Sequence, residues 1–181
     1  MRGAMLETKG YATSYIPTTG ATSTRNADVC NNSGSAQDFN SEEGVLYAEI
    51  SALANDITER SIGITSGDAN NRILLQYKNI SNTIQGLYRS GGINVGDCTF
   101  AVTDITEFLK IAFKYKTNDF ALWINGVEVD TDTLGSTDAV GINALSFDRL
   151  NTNNTQFYGK VRNVQVFTEA LTDEQLEKLT S

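Results

Sequence analysis

LKIAFKYKTNDFALWINGVEVD, Leu109 to Asp130, is the stretch whose reading decides the fold. Leu109, Ile111, Phe113 and Tyr115 alternate with Lys110, Ala112, Lys114 and Lys116, the period-two pattern of a strand with one buried face. Asn125-Gly126 is a strong hairpin signal, because both residues tolerate the positive φ of a type I′ turn. That turn sets Ile124 opposite Val127, Trp123 opposite Glu128 and Leu122 opposite Val129. A two-residue loop at Thr117-Asn118 then sets Phe113 opposite Leu122, Ala112 opposite Trp123 and Ile111 opposite Ile124. The apolar sets of these strands share one face, as a sheet covering a core requires. Trp123 falls on the opposite face, between a small residue and a carboxylate, which predicts an indole open to a ligand.

Similar patterns extend in both directions. Val45–Leu53, Ser61–Thr65, Arg72–Lys78 and Thr83–Arg89 read as strands before the hairpin region, whose own strands are Phe108–Lys116, Phe120–Ile124 and Val127–Asp130. Asn143–Leu150 and Phe157–Phe167 follow. Turn-forming clusters such as SGDANN (66–71) and NTNNT (151–155) separate them, with no helix between. The expected fold is all-β, a two-sheet antiparallel β-sandwich of the jelly-roll kind. One helix is expected at the end. Thr172 and Gln175 form a capping box, Leu171 and Leu176 a hydrophobic staple, and Leu176 and Leu179 its docking face.

The 181 residues suit one domain. Residues 28–181 are read as the sandwich. Residues 1–27 are polar, hold the only proline, and read as a linker, an edge strand or the tail of an upstream module. A net charge of −8, with no basic cluster beyond the spaced Lys110, Lys114 and Lys116, argues against nucleic acid as a partner. No apolar run approaches the ~18 residues of a membrane span, so no membrane insertion is expected. MRGAMLETKG carries no apolar signal-peptide core, and the abrupt start points to an excised domain. No repeat or coiled-coil heptad is visible. Histidine is absent, which removes His-based nucleophilic catalysis and imidazole-bound zinc. Cys30 and Cys98 have no metal-ligand spacing; they are either buried thiols or one disulfide.

Several segments together resemble a known family. GKVRNVQVFTEALTDEQLEKL (159–179) resembles the closing strand and helix of laminin-G-like, concanavalin A-like domains. FKYKTNDFALWINGVEV (113–129) resembles their central hairpin, and EEGVLYAEISAL (42–53) an early core strand. YATSYIPTTGATSTRNADV (11–29) is similar to a junction that joins such domains to upstream modules in bacteriophage tail and tail-fibre proteins. The resemblance implies paired sheets with a concave face and rim loops, where many relatives bind glycans. It also implies a virion (phage tail) or extracellular location, with other tail-protein subunits as neighbours.

Fold does not give function. Retaining glycosidases need two carboxylates about 5 Å apart, and the family's E-x-D-x-x-E pattern has no match here. Glu49 is followed on its face by Ser51 and Leu53, and adjacent Glu42 and Glu43 point apart. Glu128 and Asp130 are expected to share a face about 7 Å apart, as a solvated hairpin edge. Catalytic residues are therefore not expected. No cofactor is expected either; calcium is open at Ser66–Asn71 and Thr131–Thr133, which also read simply as turns.

Glycan binding needs an aromatic platform flanked by amides, carboxylates or cations. Trp123 is the best platform, with Glu128, Asn125, Lys114 and Lys110 around it; the alternative is that it packs under a loop or at a subunit contact. Tyr47, Tyr88 and Arg89 are further carbohydrate-binding candidates, with core or edge packing the favoured reading of the two tyrosines, and the 151–155 loop is a rim contact or a solvated turn. The sequence thus points to a non-catalytic glycan-binding, receptor-recognition domain. A purely structural domain of a virion tail is the alternative, and a glycosidase is disfavoured.

Overall fold

Alternating apolar residues and positive-φ turns leave this chain little choice but strands. The computed structural model describes Pro17, Gly20, Ala21 and residues 33–139, 141–149 and 156–181. In chain order these form β1 (Glu43–Ala52), β2 (Arg60–Thr65), β3 (Arg72–Tyr77), β4 (Thr83–Ser90) and β5 (Ile93–Ala101). There follow β6 (Leu109–Lys116), β7 (Phe120–Ile124), β8 (Val127–Asp132), β9 (Ala144–Ser146), β10 (Gly159–Phe167) and the helix α1 (Asp173–Thr180). Sheet I has the order β10-β1-β6-β7-β8 and sheet II the order β5-β4-β3-β2-β9, both antiparallel. The fold is the expected two-sheet sandwich with a short C-terminal helix.

The central register is the one read from sequence. Ile111 pairs with Ile124, Ala112 with Trp123 and Phe113 with Leu122. Trp123 pairs with Glu128 and Ile124 with Val127, across Asn125 (φ 48) and Gly126 (φ 81). One step further the reading fails. Leu122 pairs with Asp130 instead of Val129, because a bulge lies between Leu122 and Trp123. Opposed residues point the same way, so Asp130 joins Leu122's side while Glu128 stays on Trp123's side. The expected common face of Glu128 and Asp130 does not exist.

That shift has a use. The Asp130 carboxylate accepts from Thr99 N–H (2.7 Å) and the Asp132 carboxylate from Asp97 N–H (3.2 Å). Two side chains of sheet I thereby cap amides of β5, an edge strand of sheet II. β5 itself is absent from the sequence reading. Its core-side residues Gly96, Cys98 and Phe100 give no apolar run, and it ends an edge with Asn94, Asp97 and Thr99 exposed. β9 is shorter than expected, at three residues. Residues 150–155 lie outside the described residues, as do residues 1–27 apart from the three named above, the domain boundary at 28, and Cys30. Cys98 is a buried free thiol, so no bridge forms there.

Between the sheets lies the main core. Leu46, Ala48 and Ile50 of β1, Ile111, Phe113 and Tyr115 of β6, and Phe120, Leu122 and Ile124 of β7 face Ile62, Ile64, Ile73, Leu75, Ile84 and Tyr88 of sheet II. Aromatic rings pack directly on backbone. A Cβ on Gly96 would stand 2.5 Å from Phe120 Cδ1. Gly96→Ala is expected to lower stability by about 1–3 kcal/mol through overpacking, read as a fall in the urea midpoint at unchanged slope; an unchanged midpoint would mean the ring is not held there.

The same burial makes the fold alkali-sensitive. Burial pushes the Tyr88 hydroxyl up to about 12, the Ala139 amide bond opposing and Asp138 and Glu42 assisting. Burial, then the charges of Asp130, Asp132 and Asp97, push the Cys98 thiol up to about 12. Burial also raises Tyr77 and Tyr115. In each case the native state binds its proton more tightly than the unfolded chain does. The stabilisation is therefore complete below the unfolded values of about 8.5–10 and is lost as pH rises towards about 12. Urea titrations at about pH 8 and about pH 11 should show stability falling by up to about 1.4 kcal/mol per pH unit per ionising group. A flat profile would contradict the burial of these groups.

Candidate functional site

The register assembles the expected ligand face and the helix then occupies it. Tyr47, Ala112, Trp123 and Glu128 form one row across β1, β6, β7 and β8 on the outer side of sheet I. α1 lies over that row. Leu176 is fully buried, and with Val45, Tyr47, Ala112, Ala121 and Trp123 it forms a second core, closed by Phe167, Leu171 and Leu179. Trp123 is 7% exposed, and its indole N–H is buried without a partner. The capping box forms as read: Thr172 Oγ1 accepts from Gln175 N–H, and Gln175 Oε1 accepts from Thr172 N–H. An amphipathic helix needs an apolar surface, and the one beside its tether is the Trp123 face.

The neighbouring candidates are held by this docking. Lys114 is buried and paired with Asp119 (2.8 Å) and Asp173 (3.4 Å). Burial alone would lower its ammonium, and the two carboxylates outweigh it, so its pKa is raised. Lys110 Nζ donates to the Ser181 carbonyl, and its N–H to Asn125 Oδ1 (3.0 Å). Gly126 N–H donates to Thr180 Oγ1 (3.0 Å). Only Glu128 and Asn125 remain exposed. Trp123 and Tyr47 are core residues here, which corrects the reading of an open platform. Tyr88 is likewise internal: its hydroxyl donates to Ser41 O (2.8 Å) and accepts from Ala139 N–H (2.9 Å), tying two rim loops together.

Arg89, the last of the candidates, lies elsewhere. It faces outward on sheet II, opposite Arg72, while Leu87 opposes Leu74 and Gln85 opposes Gln76. A polar relay crosses this face. Ser61 Oγ donates to Gln76 Oε1 (3.1 Å), Gln76 Nε2 to Gln85 Oε1, and Gln85 Nε2 to Asp97 Oδ1. Lys78 Nζ donates to Gln85 Oε1 and Thr99 Oγ1 to Asp97 Oδ1, each at 3.2 Å. The centre of the face is buried, with Gln76 at 2% and Gln85 at 4% exposure. Its β4–β5 margin is open, where Asn94, Asp97 and Thr99 are exposed and Lys78 and Arg89 half-buried. Sequence reading missed all of these but Arg89. A signal was there: Arg72/Gln76 and Gln85/Arg89 are polar pairs on one face of otherwise apolar strands.

A second surface is a rim cleft of about 460 Å³ lined by Glu42, Glu43, Lys116, Thr117, Thr137 and Asp138. Lys116 pairs with Glu43 (2.9 Å), and the Thr117 and Thr137 hydroxyls bond each other at 2.8 Å. Among the described residues no group of three His, Cys, Asp or Glu side chains is arranged to hold a metal. Asp68 is spent on its own turn, accepting from Asn70 N–H (2.6 Å) and Asn71 N–H (3.2 Å), and the Asn70 bond leads in lowering its pKa. Asp132 accepts from Leu134 N–H as well as Asp97 N–H.

The profile of the concanavalin A-like lectin/glucanases superfamily matches residues 46–177. Among solved structures, the carbohydrate-binding module CBM40 of the Ruminococcus gnavus IT-sialidase bound to α2,3-sialyllactose superposes with a TM-score of 0.64 at 17% identity, over 86% of this chain and 96% of that one. Domain 4 of the Geobacillus stearothermophilus arabinanase AbnA, in complex with arabinotriose, gives 0.59 at 15% identity over 77% and 67%. The heptameric SAP-like pentraxin of Limulus polyphemus gives 0.63 at 14% identity over 83% and 74%. No curated protein sequence matches the chain.

Trp123 is the sole tryptophan, so its environment is directly readable. Its fluorescence is expected to be blue-shifted and weakly quenched by acrylamide. Leu176→Ala should cost about 2–5 kcal/mol and raise the quenching constant as α1 loosens. Quenching of the unmodified protein at the level of free tryptophan would restore the open-platform reading.

Proposed function

The chain belongs to the concanavalin A-like lectin/glucanases superfamily, and from that premise we propose that it is a non-catalytic glycan-binding domain that contacts its ligand at the β4–β5 margin of sheet II. The observation that carries this reading is the relay from Ser61 through Gln76 and Gln85 to Asp97. It fixes a carboxylate beside the exposed Asn94 and Thr99 and the half-buried Lys78. Carboxylates, amides, hydroxyls and ammonium groups at fixed positions are what pairs of sugar hydroxyls require. Structural neighbours that hold sialyllactose and arabinotriose support the same use of the fold. With Trp123 under α1, recognition here rests on hydrogen bonding instead of stacking.

The setting follows from the resemblance of residues 11–29 to tail-protein junctions. In this reading the domain serves receptor recognition in a bacteriophage tail or tail fibre, is virion-borne or extracellular, and sits among other tail subunits. Residues 1–27 then act as the junction and 28–181 as the recognition unit. No helix among the described residues is long and apolar enough to cross a membrane. Among the described residues, Glu42 and Asp138 both line the rim cleft, the arrangement a hydrolytic reading would use. Against it, Glu43 is neutralised by Lys116, and Asp130 and Asp132 are spent on β5 amides.

A glycan array probed with the full chain tests the proposal. The chain is expected to bind, and Asp97→Asn and Asn94→Ala to weaken binding about tenfold, the scale of one hydrogen bond to a charged group. Glu128→Ala, on the opposite sheet, should leave it unchanged. Absence of binding to any glycan would defeat the function. Binding that survives both substitutions would move the site, with the rim cleft next in line, and new reducing ends released from a bound polysaccharide would show catalysis.

A further inference from the structure

Two arginines are opposed at one end of the sheet II face, and a third, Arg149, packs over them. Arg72 on β3 and Arg89 on β4 are directly opposed, so their Cβ atoms lie about 4.5–5.5 Å apart on the same side. Arg149 joins them: Arg72 Nη1 donates to the Arg149 carbonyl at 2.7 Å, and Arg149 Nη1 pairs with Glu59 at 2.5 Å. Like charges placed opposite each other across a strand pair are destabilising unless a counter-charge is supplied.

The counter-charge around Arg72 is shared. Arg72 feels two cations, Arg149 and Arg89, and two carboxylates, Asp68 and Glu59. Glu59 is already paired with Arg149. Hydrogen bonding is incomplete as well. The Nε–H groups of Arg72, Arg89 and Arg149 are all buried without a partner, and Arg72 is only 3% exposed. A buried guanidinium with an unused donor is costly, and all three of these arginines carry one. The surroundings are fixed. Gly91 N–H donates to Asn71 Oδ1 and Gly92 N–H to Asn70 O, each at 3.0 Å, clamping the β4–β5 turn to the 66–71 loop beside Arg72. Arg89 faces the open margin, where Nη1 donates to the exposed Asn94 (3.0 Å).

We propose that Arg89, backed by Arg72 and Arg149, forms an anion subsite, and that the ligand is an acidic saccharide whose carboxylate or sulfate group is met by Arg89. This deepens the glycan-binding reading and rests on it. The planar guanidinium fork matches a carboxylate or sulfate edge, and the field of Arg72 and Arg149 behind it favours any anion brought to the margin. Neutral sugars reach only the hydroxyl-binding part.

The test compares matched ligands by calorimetry on the full chain: 3′-sialyllactose against lactose, and a sulfated lactose as a third arm. The unmodified chain is expected to prefer an acidic ligand at least about tenfold, with a preference that shrinks as salt is raised. The sialylated and sulfated arms show which anionic group is taken. Arg89→Gln should bring the ratio of acidic to neutral binding close to one, and Arg89→Lys should restore part of it. A circular dichroism melt that matches the unmodified chain keeps both variants interpretable. Equal binding of acidic and neutral ligands, or a ratio unchanged in Arg89→Gln, would overturn the subsite and leave glycan binding standing. No binding of any saccharide would overturn both.

Discussion

The docking of Leu176 on the Tyr47–Ala112–Trp123 row is the contact that allocates the rest of the molecule. Sheet I has apolar side chains on both faces of β1, β6 and β7, so it must be covered twice: by sheet II within and by a helix without. A sheet used in this way offers a ligand little surface. Glu128, Asn125 and the strand ends are what remain exposed, and Lys110 and Lys114 are committed to holding the helix. Recognition is left to sheet II and to the rim.

How much of this was legible depends on the range of the interaction. The hairpin register was readable because it is local: Asn125-Gly126 sets the pairing, and period-two alternation carries it to β6. The capped helix was readable for the same reason. Both halves of the Trp123 contact were therefore visible, but not their meeting, since nothing local says which face a terminal helix will cover. The bulge at Leu122/Trp123 was hidden because Val129 looks like a proper alternating residue, and only the Asp130 and Asp132 bonds to β5 explain its displacement. β5 escaped because an edge strand with Gly96 and Cys98 inward has no apolar period to detect. The same alternation separates Tyr88 from Arg89. Adjacent in sequence and both polar at their tips, they end on opposite faces, one clamping loops inside the sandwich and the other facing outward.

The relay on sheet II poses a question of energetics that bears on function. Gln76, Gln85 and Ser61 are buried among Leu74 and Leu87 where apolar residues would pack at lower desolvation cost. A buried polar network is tolerable when its members are satisfied, and here successive donors run in one direction from β2 to β5. The chain of donors ends at Asp97, whose carboxylate receives Gln85 and Thr99 while remaining exposed at the margin. Such an arrangement holds an acceptor in place before any ligand arrives, which reduces the ordering cost of binding. The relay and the opposed arginines sit on the same strands four residues apart, Gln76 from Arg72 and Gln85 from Arg89. One end of the face is therefore built to accept hydrogen bonds and the other to donate them, a polarity that only an asymmetric ligand would use in full.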